Sequence, residues 1–276
     1  MFKSISLRNF EFLLPNKNDN IKQIANKILY ITVLLVIIAA LIVNCCFTIS
    51  QIKIINNEKV FKSIWLSKSS NKFEKAKEIN NEFCGWLKID GTKIDYPVFK
   101  ADDNVKYTYI NATGNTDYNG ALFFDKDTKL NEQNHYVIYG NNGADNSLFG
   151  TLEKYMSVFY YKENPVITLN ISKDEKYIIY SAMLLSSYDD GENFFDIYRD
   201  SFSDSKNFEN WVSESKERSI YSTNIEISYD DETLALVTSP TNCDTKRFVV
   251  LARKLRSGED AKKLASNAVV NQENKN

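Results

Sequence analysis

The chain offers few side chains that could carry nucleophilic or metal chemistry. Its 276 residues include one histidine, His135, and four cysteines, Cys45, Cys46, Cys84 and Cys243. A single histidine excludes metal sites built from several histidines, and a mechanism with a histidine base would have to use His135. Cys45 and Cys46 lie in a long apolar run, so Cys243 is the more interesting thiol. We predict no metal or cofactor site.

The composition is typical of a folded globular protein that does not bind nucleic acid. Lysine and arginine number 34 against 36 aspartate and glutamate, so the formal net charge is −2. That balance lacks the cationic surface on which general nucleic-acid binding depends. Charged residues at 25% and hydrophobic residues at 43% fit an ordinary domain with a sizeable core.

An apolar segment without formal charge covers residues 28–52. At about 1.5 Å per residue, a helix of this length crosses a hydrocarbon core of roughly 30 Å. A cleaved signal peptide would need a small-residue cleavage site, which Asn44-Cys45-Cys46-Phe47 does not provide. We therefore predict an uncleaved transmembrane anchor. Lysines flank both ends equally, so the positive-inside rule does not orient it.

The segments on either side of the anchor differ in character. Residues 1–27 form a short N-terminal tail, and residues 53–80 have the apolar spacing of a partly helical stalk. The main domain is expected at 81–256, and a polar tail rich in asparagine and lysine follows at 257–276. The working part of the protein is therefore expected to follow the anchor.

Short strand-like segments dominate the main domain. A hairpin with an Asp-Gly turn is predicted at 86–96. Segments rich in β-branched and aromatic residues predict strands at 135–139, 166–171, 177–186, 225–229, 233–238 and 247–253. Helices are predicted at 148–155 and 202–216. Many short strands with few helices indicate a mainly β fold that forms a closed or nearly closed barrel.

Three stretches of the domain carry motifs in a fixed order. Residues 85–98 read Gly-Trp-Leu-Lys-Ile-Asp-Gly-Thr-Lys-Ile-Asp-Tyr-Pro-Val. Residues 136–142 read Tyr-Val-Ile-Tyr-Gly-Asn-Asn, and Ser-Leu-Phe-Gly-Thr-Leu follows at 147–152. Residues 233–239 read Thr-Leu-Ala-Leu-Val-Thr-Ser, and Arg-Phe-Val-Val follows at 247–250. Together they resemble class B sortases, which are membrane-anchored cysteine transpeptidases of Gram-positive bacteria.

The resemblance extends over about residues 81–256, and the helical pattern at 202–216 resembles the class B subtype. It implies an eight-stranded β-barrel with flanking helices, preceded by one transmembrane helix. It also implies a cytoplasmic N-terminus and an extracellular domain. The implied partners are the membrane, the C-terminal sorting-signal peptides of surface proteins, and an amine of peptidoglycan. In the family, a cysteine attacks the peptide carbonyl, a histidine handles protons, and an arginine stabilises the oxyanion or positions the peptide.

The chain departs from the family at two of these three catalytic positions. Asn141 stands at the histidine of a Tyr-Gly-His-Asn run, and Ser239 stands at the cysteine of a Leu-Ser-Thr-Cys run. Arg247 keeps the arginine position, eight residues after Ser239, while Pro240 is a further departure. A serine hydroxyl is a far weaker acid than a thiol and needs an adjacent base. Asparagine cannot accept a proton at neutral pH.

His135 is predicted to be a structural or surface residue and not a replacement base. It lies six residues before Asn141, on the strand that leads to it. At about 3.3 Å per residue the two positions are roughly 20 Å apart.

Three functions remain open, and with them the question of whether this copy is an enzyme. The first is a catalytically impaired sortase homologue that retains Arg247 and binds sorting signals. The second is an active transpeptidase with a rearranged site, in which Cys243 is the nucleophile and Asp125, Asp145 or Asp244 is a possible base. The third is a non-enzymatic extracellular scaffold tethered to the membrane.

Overall fold

The computed structural model describes residues 14–67, 69–187, 195–197, 202, 204–241, 243 and 245–271, without the side chains of 51 and 53–58. The chain divides into two compact units, Met1–Asn56 and Asn57–Asn276. The first unit contains most of the apolar part of helix α1, which runs over Ile21–Leu66. Within α1, Ile21–Ser50 is long and apolar enough to cross a membrane, a property that anchors and signal sequences share.

The second unit is built from short strands and a few helices. The strands are β1 (Phe83–Lys88), β2 (Asp95–Phe99), β3 (Leu122–Phe124), β4 (His135–Tyr139), β5 (Val166–Asn170), β6 (Asp174–Ser186), β7 (Tyr221–Ser222), β8 (Thr233–Thr238), β9 (Lys246–Lys254) and β10 (Val269–Val270). The helices are α2 (Lys72–Ile79), α3 (Val158–Glu163), α4 (Ser205–Glu217) and α5 (Ala261–Ser266). Two 3-10 helices cover Lys106–Thr108 and Leu152–Met156.

Eight of these strands close into a barrel in the order β1-β2-β3-β4-β8-β9-β6-β5. The β2–β3 and β4–β8 pairs are parallel, and the other neighbours are antiparallel. The remaining two strands, β7 and β10, form a separate antiparallel pair. The predicted eight-stranded barrel with flanking helices is therefore confirmed.

Alternation along the strands divides the core into an inner and an outer layer. On β8, Leu234 and Leu236 belong to the barrel interior, whereas Ala235 and Val237 face a second cluster outside it. Helix α4 covers this outer face with a stripe that includes Trp211. The N-cap of the helix is Asp204, whose side chain accepts a hydrogen bond from the Asn207 backbone N–H at 2.8 Å. The predicted helix at 202–216 thus corresponds to α4.

The strand pattern was predicted well at the centre of the barrel and less well at its margins. β4 and β8 match their predicted bounds, and the Asp-Gly turn joins β1 to β2 with Gly91 at φ +80°. The predicted strand at 225–229 is wrong. Ile225 is buried in the outer cluster, but its carbonyl accepts a hydrogen bond from the Lys216 ammonium at 2.7 Å and not from a neighbouring strand. The barrel instead uses β3, which the sequence did not predict.

The C-terminal end of α1 forms part of the second unit through an aromatic cluster. Trp65 stacks on Trp86 of β1, with ring centroids 4.9 Å apart and planes 5° apart. Phe61 is 1% exposed and packs edge-on against Phe99 of β2 at 5.7 Å. Because these rings bury a large apolar area, residues 57–66 contribute to the stability of the domain.

We expect Phe61→Ala to lower the free energy of unfolding by about 3–5 kcal/mol, the usual cost of removing a buried phenylalanine ring. Urea unfolding of the full chain in detergent micelles, followed by tryptophan fluorescence, measures this change. Val60→Ala is the matched control, because Val60 is the adjacent helical residue and is 45% exposed. It should change the free energy by about 0.5 kcal/mol or less. Equal effects of the two substitutions would contradict the packing role of Phe61.

Candidate functional site

Asn141, Ser239 and Arg247 line one open groove with a volume of about 500 Å³. The groove lies at one end of the barrel, over β3, β4, β8 and β9. The other lining residues are Asn104, Thr108, Phe123, Asp125, Asp127, Tyr139, Gly140, Val237 and Thr238. The three positions that the sequence singled out are therefore brought together.

Strand register brings Asn141 and Ser239 to the same place. In the parallel β4–β8 pair, Tyr139 lies opposite Val237, and each is two residues before one of the candidate positions. The Gly140 backbone N–H donates to the Val237 carbonyl at 3.1 Å and extends this pairing. Parallel strands end at the same edge of a sheet, so the residues that follow them are neighbours.

Arg247 joins this group because β9 runs antiparallel to β8. Thr238, the last residue of β8, lies opposite Phe248 of β9. Ser239 follows Thr238 and Arg247 precedes Phe248, so Ser239 and Arg247 lie at the same edge of the sheet. The Arg247 Nη1 donates to the Ser187 hydroxyl and to the Lys246 carbonyl, each at 2.8 Å. These bonds hold the guanidinium at the edge of the groove.

The amide nitrogen of Asn141 is committed to the loop between β2 and β3. Its Nδ2 donates to the backbone carbonyls of Thr108 at 2.6 Å, Asn119 at 3.1 Å and Tyr118 at 3.3 Å. An amide NH₂ has two hydrogens, so one of them is shared between two carbonyls. Asn141 therefore fixes a wall of the groove and has no proton-accepting role there.

Ser239 is half-buried, and its hydroxyl has no hydrogen-bond partner within the described ranges. A serine becomes nucleophilic when an adjacent base accepts its proton. No side chain in the described part of the chain stands in that position.

The other predicted bases do not supply this function in the described part of the chain. The Asp125 carboxylate lines the groove but accepts hydrogen bonds from the Tyr139 hydroxyl and the Asn104 amide, both at 2.8 Å. Hydrogen bonds from Ser147 hold the pKa of Asp145 below its ordinary value. Asp244 lies outside the described residues.

No cysteine among the described residues lines the groove. Cys45 and Cys46 belong to α1, and burial raises the pKa of Cys84 on β1 to about 12. Cys243 is half-buried in the loop between β8 and β9, where its Sγ lies 3.5 Å from the Thr245 hydroxyl. The structure does not bring Cys243 into the groove beside Ser239.

A polar cluster missed by the sequence analysis ties down the start of the β8–β9 loop. The Glu153 carboxylate accepts hydrogen bonds from the Thr241 backbone N–H, from the Thr241 hydroxyl at 3.0 Å and from the Asn142 amide at 3.2 Å. Asn142 also donates to the Thr241 hydroxyl at 3.0 Å. Glu153 thus fixes the start of the loop that follows Ser239 through these hydrogen bonds. The sequence carried no signal for it, because the contact joins distant segments.

His135 is a structural residue within the outer layer. It is 2% exposed, and its ring packs edge-on against Trp211 at 5.2 Å. Nε2 lies 3.0 Å from the Ile197 carbonyl, which can only accept, and Nδ1 lies 2.8 Å from the Thr233 hydroxyl. Both ring nitrogens therefore lie within hydrogen-bonding distance of a partner, and burial lowers the pKa of His135.

Comparisons with known proteins agree on one family. Over 189 residues the chain is 27% identical to sortase B of Staphylococcus aureus, a match covering 67% of this chain and 75% of that protein. The solved structure of a mutant form of Clostridium perfringens sortase B matches with a TM-score of 0.67 and 24% identity, over 72% of this chain and 97% of that one. A Staphylococcus aureus sortase B–substrate complex matches with a TM-score of 0.65 and 22% identity, over 76% and 98%. No family model matches the chain.

The buried His135 predicts a specific loss of stability in mild acid. Its folded-state pKa is lowered, so the unfolded chain takes up a proton first, and the free energy of unfolding falls as the pH drops below about 6.5. This one group contributes a slope of up to about 1.4 kcal/mol per pH unit. Urea unfolding of the natural protein and of His135→Gln between pH 7 and pH 5 measures the difference. Parallel pH profiles for the two proteins would contradict this assignment.

The hydrogen bond from the Thr241 backbone N–H to the Glu153 carboxylate predicts faster hydrogen exchange at the Thr241 amide when the carboxylate is removed. We expect Glu153→Ala to raise the exchange rate at least about tenfold, because hydrogen bonds to charged groups contribute more than neutral ones. Exchange followed by NMR or mass spectrometry measures this rate. Glu226→Ala is the control, since Glu226 is an exposed glutamate that does not line the groove. An unchanged exchange rate in Glu153→Ala would contradict the role of Glu153 in fixing this loop.

Proposed function

The chain is a homologue of class B sortases, and from this premise we propose that it binds sorting-signal peptides in its groove without cleaving them. In this proposal residues 28–52 anchor the protein in the cell membrane, residues 1–27 lie in the cytoplasm, and the barrel domain lies outside a Gram-positive cell. The domain then meets surface proteins on their way to the cell wall. The substrate-bound Staphylococcus aureus sortase B supports a peptide as the ligand.

The proposal rests on the hydrogen bonds that the Asn141 side chain makes. Its amide is bonded to three backbone carbonyls and organises the groove wall, at the position where the family uses a histidine for proton transfer. Ser239 has no base beside it among the described residues, and a serine needs such a base to form an acyl intermediate. Without this intermediate, a peptidoglycan amine has nothing to attack.

Of the three residues at the catalytic positions of the family, Arg247 is the one that can contribute to peptide binding. A guanidinium donates hydrogen bonds in a planar fork to carbonyl or carboxylate oxygens. At the edge of the groove it can hold a backbone carbonyl of the peptide. The apolar floor formed by Phe123, Tyr139 and Val237 offers a surface for the side chains of the peptide. In this proposal the groove has groups that can bind a peptide and lacks the nucleophile and base that would cleave it.

No specific observation favours the alternative in which Cys243 is the nucleophile, because Cys243 does not line the groove. The scaffold alternative is also less well supported, since a groove with charged and hydroxyl groups along its lining suits a ligand. Cys243→Ala should therefore leave peptide binding unchanged.

We expect the full chain in detergent micelles to bind sorting-signal peptides of the host's surface proteins and to leave them intact. Fluorescence anisotropy measures binding, and mass spectrometry detects cleavage. The double variant Asn141→His with Ser239→Cys should cleave at least roughly a hundredfold faster than the natural protein, the scale of a general base alone. Ser239→Cys alone is the matched control, because it keeps the Asn141 bonds and still lacks the base.

Cleavage by the natural protein would overturn the proposed inactivity. Absence of binding to any sorting-signal peptide would overturn peptide recognition and favour the scaffold. Turnover by the double variant alone would place the defect at the two replaced positions.

A further inference from the structure

The Asp125 carboxylate lies in the groove, held in a fixed orientation by neutral donors. The Tyr139 hydroxyl and the Asn104 amide each donate to Oδ2 at 2.8 Å, and the Asp127 backbone N–H donates to Oδ1 at 2.9 Å. Asp125 makes no ion pair with any described residue. The adjacent Lys126 ammonium binds Asp127 instead, at 2.8 Å. A half-buried carboxylate oriented in this way favours a cationic ligand group.

A second feature of the groove independently favours a polar ligand. Thr238 lines the groove and is 2% exposed, yet its hydroxyl has no hydrogen-bond partner in the described part of the chain. A buried hydroxyl without a partner is unfavourable, and a polar ligand in the groove would relieve this cost. The lining is therefore prepared for a ligand with backbone-like polar groups.

The barrel sets the distance between Asp125 and Arg247. Asp125 follows β3 and Arg247 lies on β9, and the strand order β3-β4-β8-β9 separates them by three strand spacings. Asp125 is level with Val137, because its backbone N–H donates to the Val137 carbonyl at 2.9 Å. Val137 pairs with Ala235 and Ala235 with Leu251, which is four residues along β9 from Arg247. Three spacings of about 4.8 Å across the sheet and four residues of about 3.3 Å along it give roughly 20 Å, which an extended peptide covers in about six residues. One short peptide can therefore contact both side chains.

We propose that Asp125, oriented by Tyr139 and Asn104, forms a cation subsite that selects a lysine or arginine side chain in the bound peptide. The basic residue lies about six positions from the peptide residue held by Arg247. The subsite rests on the proposed function, because it assigns a specificity to the same groove. It adds a charge requirement that Asn141, Ser239 and Arg247 do not supply.

A peptide series tests the subsite on the natural full chain in detergent micelles. Lysine is placed in turn at each position of a fluorescent sorting-signal peptide, and glutamine and glutamate replace it at the position of tightest binding. We expect the lysine peptide to bind about tenfold more tightly than the glutamine peptide and the glutamate peptide to bind more weakly still. The preference should shrink as the salt concentration rises.

The matched variants are Asp125→Asn and Asp230→Asn. Asp125→Asn keeps an acceptor for the Tyr139 hydroxyl but removes the charge, so it should bind the lysine and glutamine peptides equally. Asp230→Asn makes the same change in net charge at an exposed residue outside the groove and should keep the preference. A lysine preference that persists in Asp125→Asn would overturn the role of Asp125.

The peptide series also separates the two proposals. Equal binding of the lysine, glutamine and glutamate peptides by the natural protein would overturn the cation subsite and leave peptide recognition standing. Failure of every peptide to bind would overturn peptide recognition and the subsite together. Because the series needs no variant, it gives a result even if Asp125→Asn does not fold.

Discussion

The parallel pairing of β4 with β8 determines which ends of the strands meet at the groove. Most neighbours in the barrel are antiparallel, but this pair runs in one direction, so the residues after Tyr139 and after Val237 emerge together. The antiparallel return of β9 then adds Arg247 to the same edge. The barrel core below is closed and apolar, so residues at this edge can change their chemistry while the fold is retained.

Asn141 illustrates how one side chain at this edge shapes the groove. A histidine base needs a ring nitrogen that is free to take a proton. The asparagine amide instead satisfies backbone carbonyls of the β2–β3 loop, which would otherwise depend on water. An imidazole cannot place two hydrogens from one nitrogen on these carbonyls. The loop conformation and the asparagine therefore support each other.

The strand pattern of the sequence predicted a closed or nearly closed barrel, and the family resemblance predicted its eight strands; both agree with the structure. β4 and β8 have bounds that alternation and β-branched composition reveal. The three-residue β3 is too short for such a pattern, and Ile225 shows that a buried extended segment need not pair with another strand. The hydrogen bonds of Glu153 and of Asn141 join segments that are far apart in sequence. Such contacts follow from register and loop geometry, which periodicity does not encode.

The lining of the groove is more polar than a structural role requires. The Thr238 hydroxyl is buried without a partner among the described residues, and Asp125 is oriented by three neutral donors without an ion pair there. The unpaired Thr238 hydroxyl is less favourable for the unliganded fold than an apolar side chain would be. Departures from the most stable arrangement concentrate where a protein binds other molecules. The polar groups of this lining therefore support the proposed role of the groove in binding a ligand.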